Sequence, residues 1–216
     1  MRVNLTNNRR TWHDGPVPTT TGPGRANQKE RTRAAIVAAA RQLAGTGGEV
    51  TMPAIARAAL VSEATAYRYF PDLVSVLQQA FTGSWPSPEE AMASVAGSAD
   101  VAERVGRATE VLLRGVHARQ GAVRAMISAS VTRPAVAATR PGVRFPLIEF
   151  ALAPPADLSA IPAERLAQLR LDLSVIVSAE AFFTLTDLCG LSAEAAIASA
   201  VCTARTVTCA ARSGSG

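Results

Sequence analysis

The sequence predicts an all-α protein, and three observations carry that reading. Apolar residues recur at helical spacing in one segment after another, as at Ile36, Ala40, Leu43 and Ala44. Gly- and Pro-rich breakers separate these segments, and no stretch alternates polar and apolar residues long enough to make a strand. With 216 residues, 48% of them hydrophobic and 18% charged, the chain can build one or two compact domains and is not disordered throughout.

Taken in order, Met1 to Ala26 is rich in Thr, Pro, Gly and Arg without periodicity, and residues 1–26 are predicted to form a disordered arm. A first helix runs from Asn27 to the glycines at 45–48. Thr51 opens a short second helix as its N-cap, with Pro53 in the first turn, where a proline costs no hydrogen bond. Ile55, Ala56 and Ala59 form the inner face of that helix, and Leu60-Val61 breaks it. Ser62 caps a third helix, Glu63 to Tyr69, too short to bury a core alone. Pro71-Asp72 resets the chain into a fourth helix with Leu73, Leu77 and Phe81 on one stripe, ending near Gly83. Two short helices around a tight turn, braced by a longer one, make residues 27–83 a three-helix helix-turn-helix domain.

Residues 84–216 follow as a second helical domain after the breaker at 85–88. Helices are predicted at Glu89 to Gly97, Asp100 to Arg119, Ala122 to Thr132, Val143 to Ala153, Ala163 to Leu188 and Ala195 to Ala211. The last two are apolar on more than one side, which in a monomer would expose a large patch, so the expectation is a homodimer through the last two helices. The alternative is burial of both faces inside one domain.

Charge is unevenly placed. Residues 1–81 hold ten basic and five acidic side chains, net +5, while the rest hold twelve of each. A basic first domain suits a polyanion, and a neutral, apolar second one suits itself or a greasy ligand. Cys189, Cys202 and Cys209 lie in apolar helical context without a CxxC pair, and the chain has two histidines, so no disulfide framework, metal site or cofactor is expected. The three read as reduced core thiols, with a redox role for Cys202 and Cys209, which share a helix face, as the alternative. Arg2, Arg9 and Arg10 precede no apolar run, and the stretch Leu173 to Leu185 contains Glu180 and is shorter than the roughly 18–20 residues of a membrane span. A cytoplasmic protein without membrane contact is expected. Neither GxxxxGK[ST], GxGxxG, GxSxG nor HExxH occurs, so an enzyme is not expected.

The stretch Thr51-Met-Pro-Ala-Ile-Ala-Arg-Ala-Ala-Leu-Val-Ser-Glu-Ala-Thr-Ala-Tyr-Arg-Tyr-Phe70, with its preceding helix and following Pro-Asp, resembles the DNA-binding domain of TetR family transcriptional regulators. The resemblance spans residues 30 to 82; beyond Gly83 only the layout of the final helix pair is similar. It implies Glu63, Ala64, Thr65 and Arg68 nearest the bases of double-stranded DNA, and Tyr67 and Tyr69 on its backbone. The chemistry agrees. A threonine methyl meets a thymine methyl, an arginine pairs with guanine or phosphate, and a tyrosine hydroxyl donates to phosphate. Thr51 and Ser62 cap their helices and are within the same interface. For Thr65 and Tyr67 the alternative is helix packing, and for Arg68 a solvated charge. Arg25, Lys29, Arg31 and Arg33 are candidates for contacts along the backbone or in the minor groove.

Three positions depart from the family pattern. Leu60 stands where glycine is common, and a left-handed conformation there would cost of order 1 kcal/mol, so an altered turn is expected. Glu63 suits the helix dipole but repels phosphate. Leu73 replaces a phosphate-binding lysine and removes one backbone contact. The resulting expectation is a homodimeric, ligand-responsive repressor on a pseudo-palindromic operator, residues 84–216 forming its effector-binding and dimerisation domain. Met92, His117, Met126, Phe145 and Phe150 are candidates to line a pocket for a small apolar or aromatic effector, with plain core as the alternative. A regulator without a small ligand, or an architectural DNA binder, is the competing reading.

Overall fold

Capping chemistry decides where three of the first four helices begin. The computed structural model describes residues 23–132 and 142–213. Helix α1 is Pro23–Ala44, so it starts inside the segment assigned to the arm; proline fits the first turn, whose amide has no helical acceptor. The rest of that arm, residues 1–22, lies outside the described residues. For α2, Met52–Ala58, Thr51 Oγ1 accepts from the Ala54 amide at 3.3 Å. For α3, Glu63–Tyr69, Ser62 Oγ accepts from the Thr65 amide at 3.2 Å. For α4, Leu73–Phe81, Asp72 Oδ1 accepts from the Ser75 amide at 2.8 Å. Ile36, Ile55, Ala66, Phe70 and Leu77 are buried together at the centre of this module. Arg33 donates to Gln79 Oε1 at 2.6 Å and lies over the Phe70 ring, while Arg41 Nε donates to the Ala80 carbonyl, so two arginines tie α1 to α4.

The α2–α3 turn keeps the left-handed conformation after all. Leu60 has φ 55° and is 92% exposed, which corrects the expectation that leucine would alter the turn. The side chain projects into solvent without a clash, so the turn is held at the cost of local strain.

The second module opens with α5, Pro88–Ala91, closed by a capping box between Ser87 and Glu90 and followed by a 3₁₀ turn at Ala93–Val95. This replaces the longer helix expected at Glu89 to Gly97. Then come α6, Val101–Ala118; α7, Gln120–Thr132; and α8, Arg144–Ala151. The single helix expected at Ala163 to Leu188 is broken. Helix α9, Ala163–Ile176, stops at Val177 with ψ 66°, and Ser178 starts α10, Ala179–Phe183, by accepting from the Ala181 amide at 3.0 Å. A π-helical turn, Thr184–Leu188, continues α10, and α11 is Ala193–Ser213. The described residues contain no strand, and none of their helices is long and apolar enough to cross a membrane.

Helix α6 lies along α11, and their shared core takes in Val105, Leu112, Phe182, Ile197 and Ala200. Within it Arg104 is only 1% exposed. Its guanidinium donates to the carbonyls of Val95, Ala96, Phe150, Ala151 and Ala153, ending α8 and the 3₁₀ turn. No carboxylate offsets its charge among the described residues, and burial pulls its pKa down. Cys189, Cys202 and Cys209 are all exposed, which corrects their reading as core thiols. On α11 the buried residues are Ala196, Ile197, Ala200, Ala204 and Thr208, and this register turns Cys202 and Cys209 outward.

The two modules meet closely. Helix α7 packs on α4 and α1, and a Cβ at Gly121 would run into the Gly48 carbonyl. In the connection, Trp85 lies against Gly115, where a Cβ would strike the indole, with the Arg119 guanidinium 5.1 Å over the ring. Arg119 also donates to the Ser84 carbonyl at 3.0 Å. Small residues are needed at both approaches.

Candidate nucleic-acid interface

Helix α3 rests on the core through one face and leaves the remainder to solvent. Ala66 is its buried residue; Glu63, Ala64, Tyr67 and Arg68 are exposed, and Thr65 and Tyr69 are half-buried. This follows from the register, since Ala66 and Phe70 are four apart and share the stripe that faces Ile55 and Leu77. Ser62 is exposed at the start of the helix and donates to Thr65 Oγ1 at 2.9 Å, so these hydroxyls are paired and the Thr65 proton remains available to an outside acceptor. Thr51 is half-buried, with its hydroxyl oxygen engaged in capping α2.

Arg68 has no ion-pair partner among the described residues, and its guanidinium lies 5.6 Å from the Tyr69 ring centroid. That contact limits the freedom of a long side chain before any ligand arrives. Tyr67 is 48% exposed, too open to be a packing residue alone. Glu63 projects from the first turn without a basic partner among the described residues. Leu73, at the position where the family pattern has a lysine, is half-buried against the first module's core.

The four basic residues in the first half of α1 divide by role. Arg33 is engaged internally with Gln79 and Phe70, so it is not an outward cation. Lys29 and Arg31 are exposed and have no ion-pair partner among the described residues, and the Arg25 side chain lies outside them.

The five pocket candidates are not gathered around one cavity. Met92 is fully buried core, His117 is exposed with its ring 5.9 Å from Phe182, and Phe145 is 56% exposed. Phe150 is half-buried against Arg104, and only Met126 lines the cavity between the modules. They sit on differently rotated faces of four elements, which one-dimensional spacing does not report. The cavity itself measures about 60 Å³ and is bounded by Phe81, Trp85, Leu112, Val116, Met126 and Arg144. Phe81, Trp85 and Arg144 are lining residues that composition alone did not single out. Among the described residues no cluster of three or more His, Cys, Asp or Glu could hold a metal ion.

A tightly capped three-helix unit that presents one short helix with unpaired polar and basic side chains defines a helix-turn-helix DNA-binding protein. Residues 36–77 match the family model described as bacterial regulatory proteins, tetR family, a span reaching from α1 into α4. The match covers the helix-turn-helix module and supports a DNA-binding transcriptional regulator of the TetR family. No curated protein matches it.

Proposed function

We propose that the protein acts in the cytoplasm as a homodimeric repressor that binds a pseudo-palindromic operator through α3 of each subunit. The observation that carries this is the face of α3, where Glu63, Ala64, Tyr67 and Arg68 are exposed beside the half-buried Thr65 while Ala66 anchors the helix. In this reading Thr65 meets base edges, Arg68 meets a base edge or a phosphate beside it, Tyr67 and Tyr69 meet the backbone, and Thr51 and Ser62 hold their helix starts against it. Dimerisation is supported by the second module. Leu171, Val175 and Leu188 are 62%, 70% and 82% exposed on α9 and the π-helical turn, and Val175 shares a surface groove with Ser199 and Thr203 of α11. Burying these against a second copy completes a four-helix bundle and sets the separation of the two recognition helices.

An effector entering between the modules would act by preferring one separation over the other. The cavity of about 60 Å³ holds a few waters and must enlarge for an apolar or aromatic molecule. That small volume is the specific observation favouring the second reading, a regulator without a small ligand. The test is selection of duplexes from a random-sequence pool by the purified full-length chain. An enriched inverted repeat bound by two protomers is the expected result, and no enrichment, or equal binding of all duplexes at matched salt, contradicts it.

A further inference from the structure

Beside α3 runs a groove of about 540 Å³ built from two helices, with Gln28, Lys29 and Thr32 of α1 on one wall and Ser62, Thr65 and Arg68 on the other. Positions 28, 29 and 32 share one face of α1, so the groove follows from the register of that helix beside α3. Among the described residues two cations line it and no carboxylate does; Glu30 and Glu63 belong to the same helices but are not among its lining residues. Neither Lys29 nor Arg68 has an ion-pair partner among the described residues, in a module where Arg33 and Arg41 are both engaged internally.

The donors that remain fit a phosphate. Thr32 Oγ1 already donates to the Gln28 carbonyl at 3.0 Å, and the Ser62 hydroxyl donates to Thr65. The Lys29 ammonium, the Arg68 guanidinium, the Gln28 amide and the Thr65 hydroxyl are left to an outside group, and an anion with several acceptor oxygens uses all four. The chain's own preceding segment does not suit the groove, because Arg2, Arg9, Arg10 and Arg25 outnumber Asp14 and like charge would oppose like.

We propose that this groove seats one phosphodiester of the duplex whose bases α3 reads, gripped jointly by Lys29 and Arg68. The inference rests on the reading of α3 as the recognition helix and extends the interface onto α1. Lys29 then contributes affinity and salt dependence but no base preference, whereas Arg68 has a second anchor in α1 across the groove. Two cations on one phosphate act together, so their losses are coupled.

The test uses the full-length chain and a duplex enriched by the wild type from a random pool, with affinity measured across salt for wild type, Lys29→Gln, Arg68→Gln and the double variant. Lys29→Gln is expected to weaken enriched and mixed-sequence duplexes by the same factor, about tenfold at low salt, and to lower the salt slope by about one. The double variant is expected to lose less than the product of the single losses. Inorganic phosphate titrated into the protein alone is expected to give no saturable binding at millimolar concentration. Wild-type affinity and slope in Lys29→Gln, a changed base preference, or fully independent losses overturn the joint seat. Phosphate binding abolished by Lys29→Gln also overturns it, by making the groove a site for the free ion. If no duplex is enriched, the reading of α3 falls and this proposal with it; if Arg68→Gln weakens an enriched duplex and Lys29→Gln does not, only the proposal falls.

Discussion

The two modules treat their arginines in opposite ways. In the second, Arg107, Arg114, Arg124, Arg144 and Arg170 each meet a carboxylate, at distances from 2.5 Å for Arg124–Asp187 to 3.4 Å for Arg107–Glu110. In the first, Lys29, Arg31, Arg57 and Arg68 meet none among the described residues. The net charges follow from composition, and the pairing shows which cations of the first module stay unanswered by the fold. Cations answered by internal carboxylates organise a fold, and cations left facing water keep their field for an external polyanion. A change to one of the paired arginines should therefore act on the fold, and a change to one of these four unpaired cations on binding.

The largest effect is expected at Arg104. Arg104→Ala removes five hydrogen bonds to carbonyls, two of them fully buried, together with a core side chain, and a loss of about 3–5 kcal/mol in unfolding free energy is the expected outcome in chemical denaturation. Arg104→Lys should recover only part of it, because an ammonium has three donors where the guanidinium uses five. A loss under 1 kcal/mol would remove Arg104 from the account of the second core.

Next comes Arg68→Ala, expected to weaken DNA binding by about 1–3 kcal/mol while leaving the melting temperature within a degree or so of wild type. Equal losses of binding and stability would break the contrast between the modules.

A smaller, pH-dependent effect belongs to Asp187. Arg124 donates to both of its oxygens, at 2.5 and 2.7 Å, above the Phe183 ring, and holds the carboxyl at about 2 instead of 3.8. Because the folded value is the lower one, the contribution is complete above pH 3.8 and fades as pH falls from there to about 2. Urea midpoints measured across that window should fall less steeply in Arg124→Gln than in wild type. Identical slopes would show that the pair does not couple α7 to the π-helical turn.

The smallest effect is expected at Leu60. Leu60→Gly relieves the left-handed strain of about 1 kcal/mol but frees the unfolded chain by almost as much, so a gain of at most about 0.5 kcal/mol is expected. A clear loss would show that the exposed leucine has a packing role on the protein.

Much of the first module could be read from residues that act locally. Thr51, Ser62 and Asp72 cap helices through their own side chains, and the register of Ala66 and Phe70 fixes which face of α3 looks outward. The break at Val177–Ser178 was hidden because a serine in an apolar run reads alike as a helix interior residue or as a cap. The exposure of Cys202 and Cys209 was hidden for a related reason, since both faces of α11 are small and apolar and only its neighbours decide which is covered. Pocket lining is harder still. Phe81, Trp85 and Arg144 come together through the rotation of helices far apart in the chain, and Arg104 chooses carbonyls whose positions no motif encodes. The α1 wall of the groove beside α3 belongs to the same class.

The most direct test of the contrast between the modules is the salt dependence of DNA affinity for the full-length chain, compared between wild type and a variant in which Lys29, Arg31, Arg57 and Arg68 are all glutamine. The account predicts a steep negative slope of log affinity against log salt in the wild type and loss of most of it in the variant, with both proteins melting alike. A wild-type slope near zero, or a variant that keeps it, would contradict the assignment of these cations to DNA.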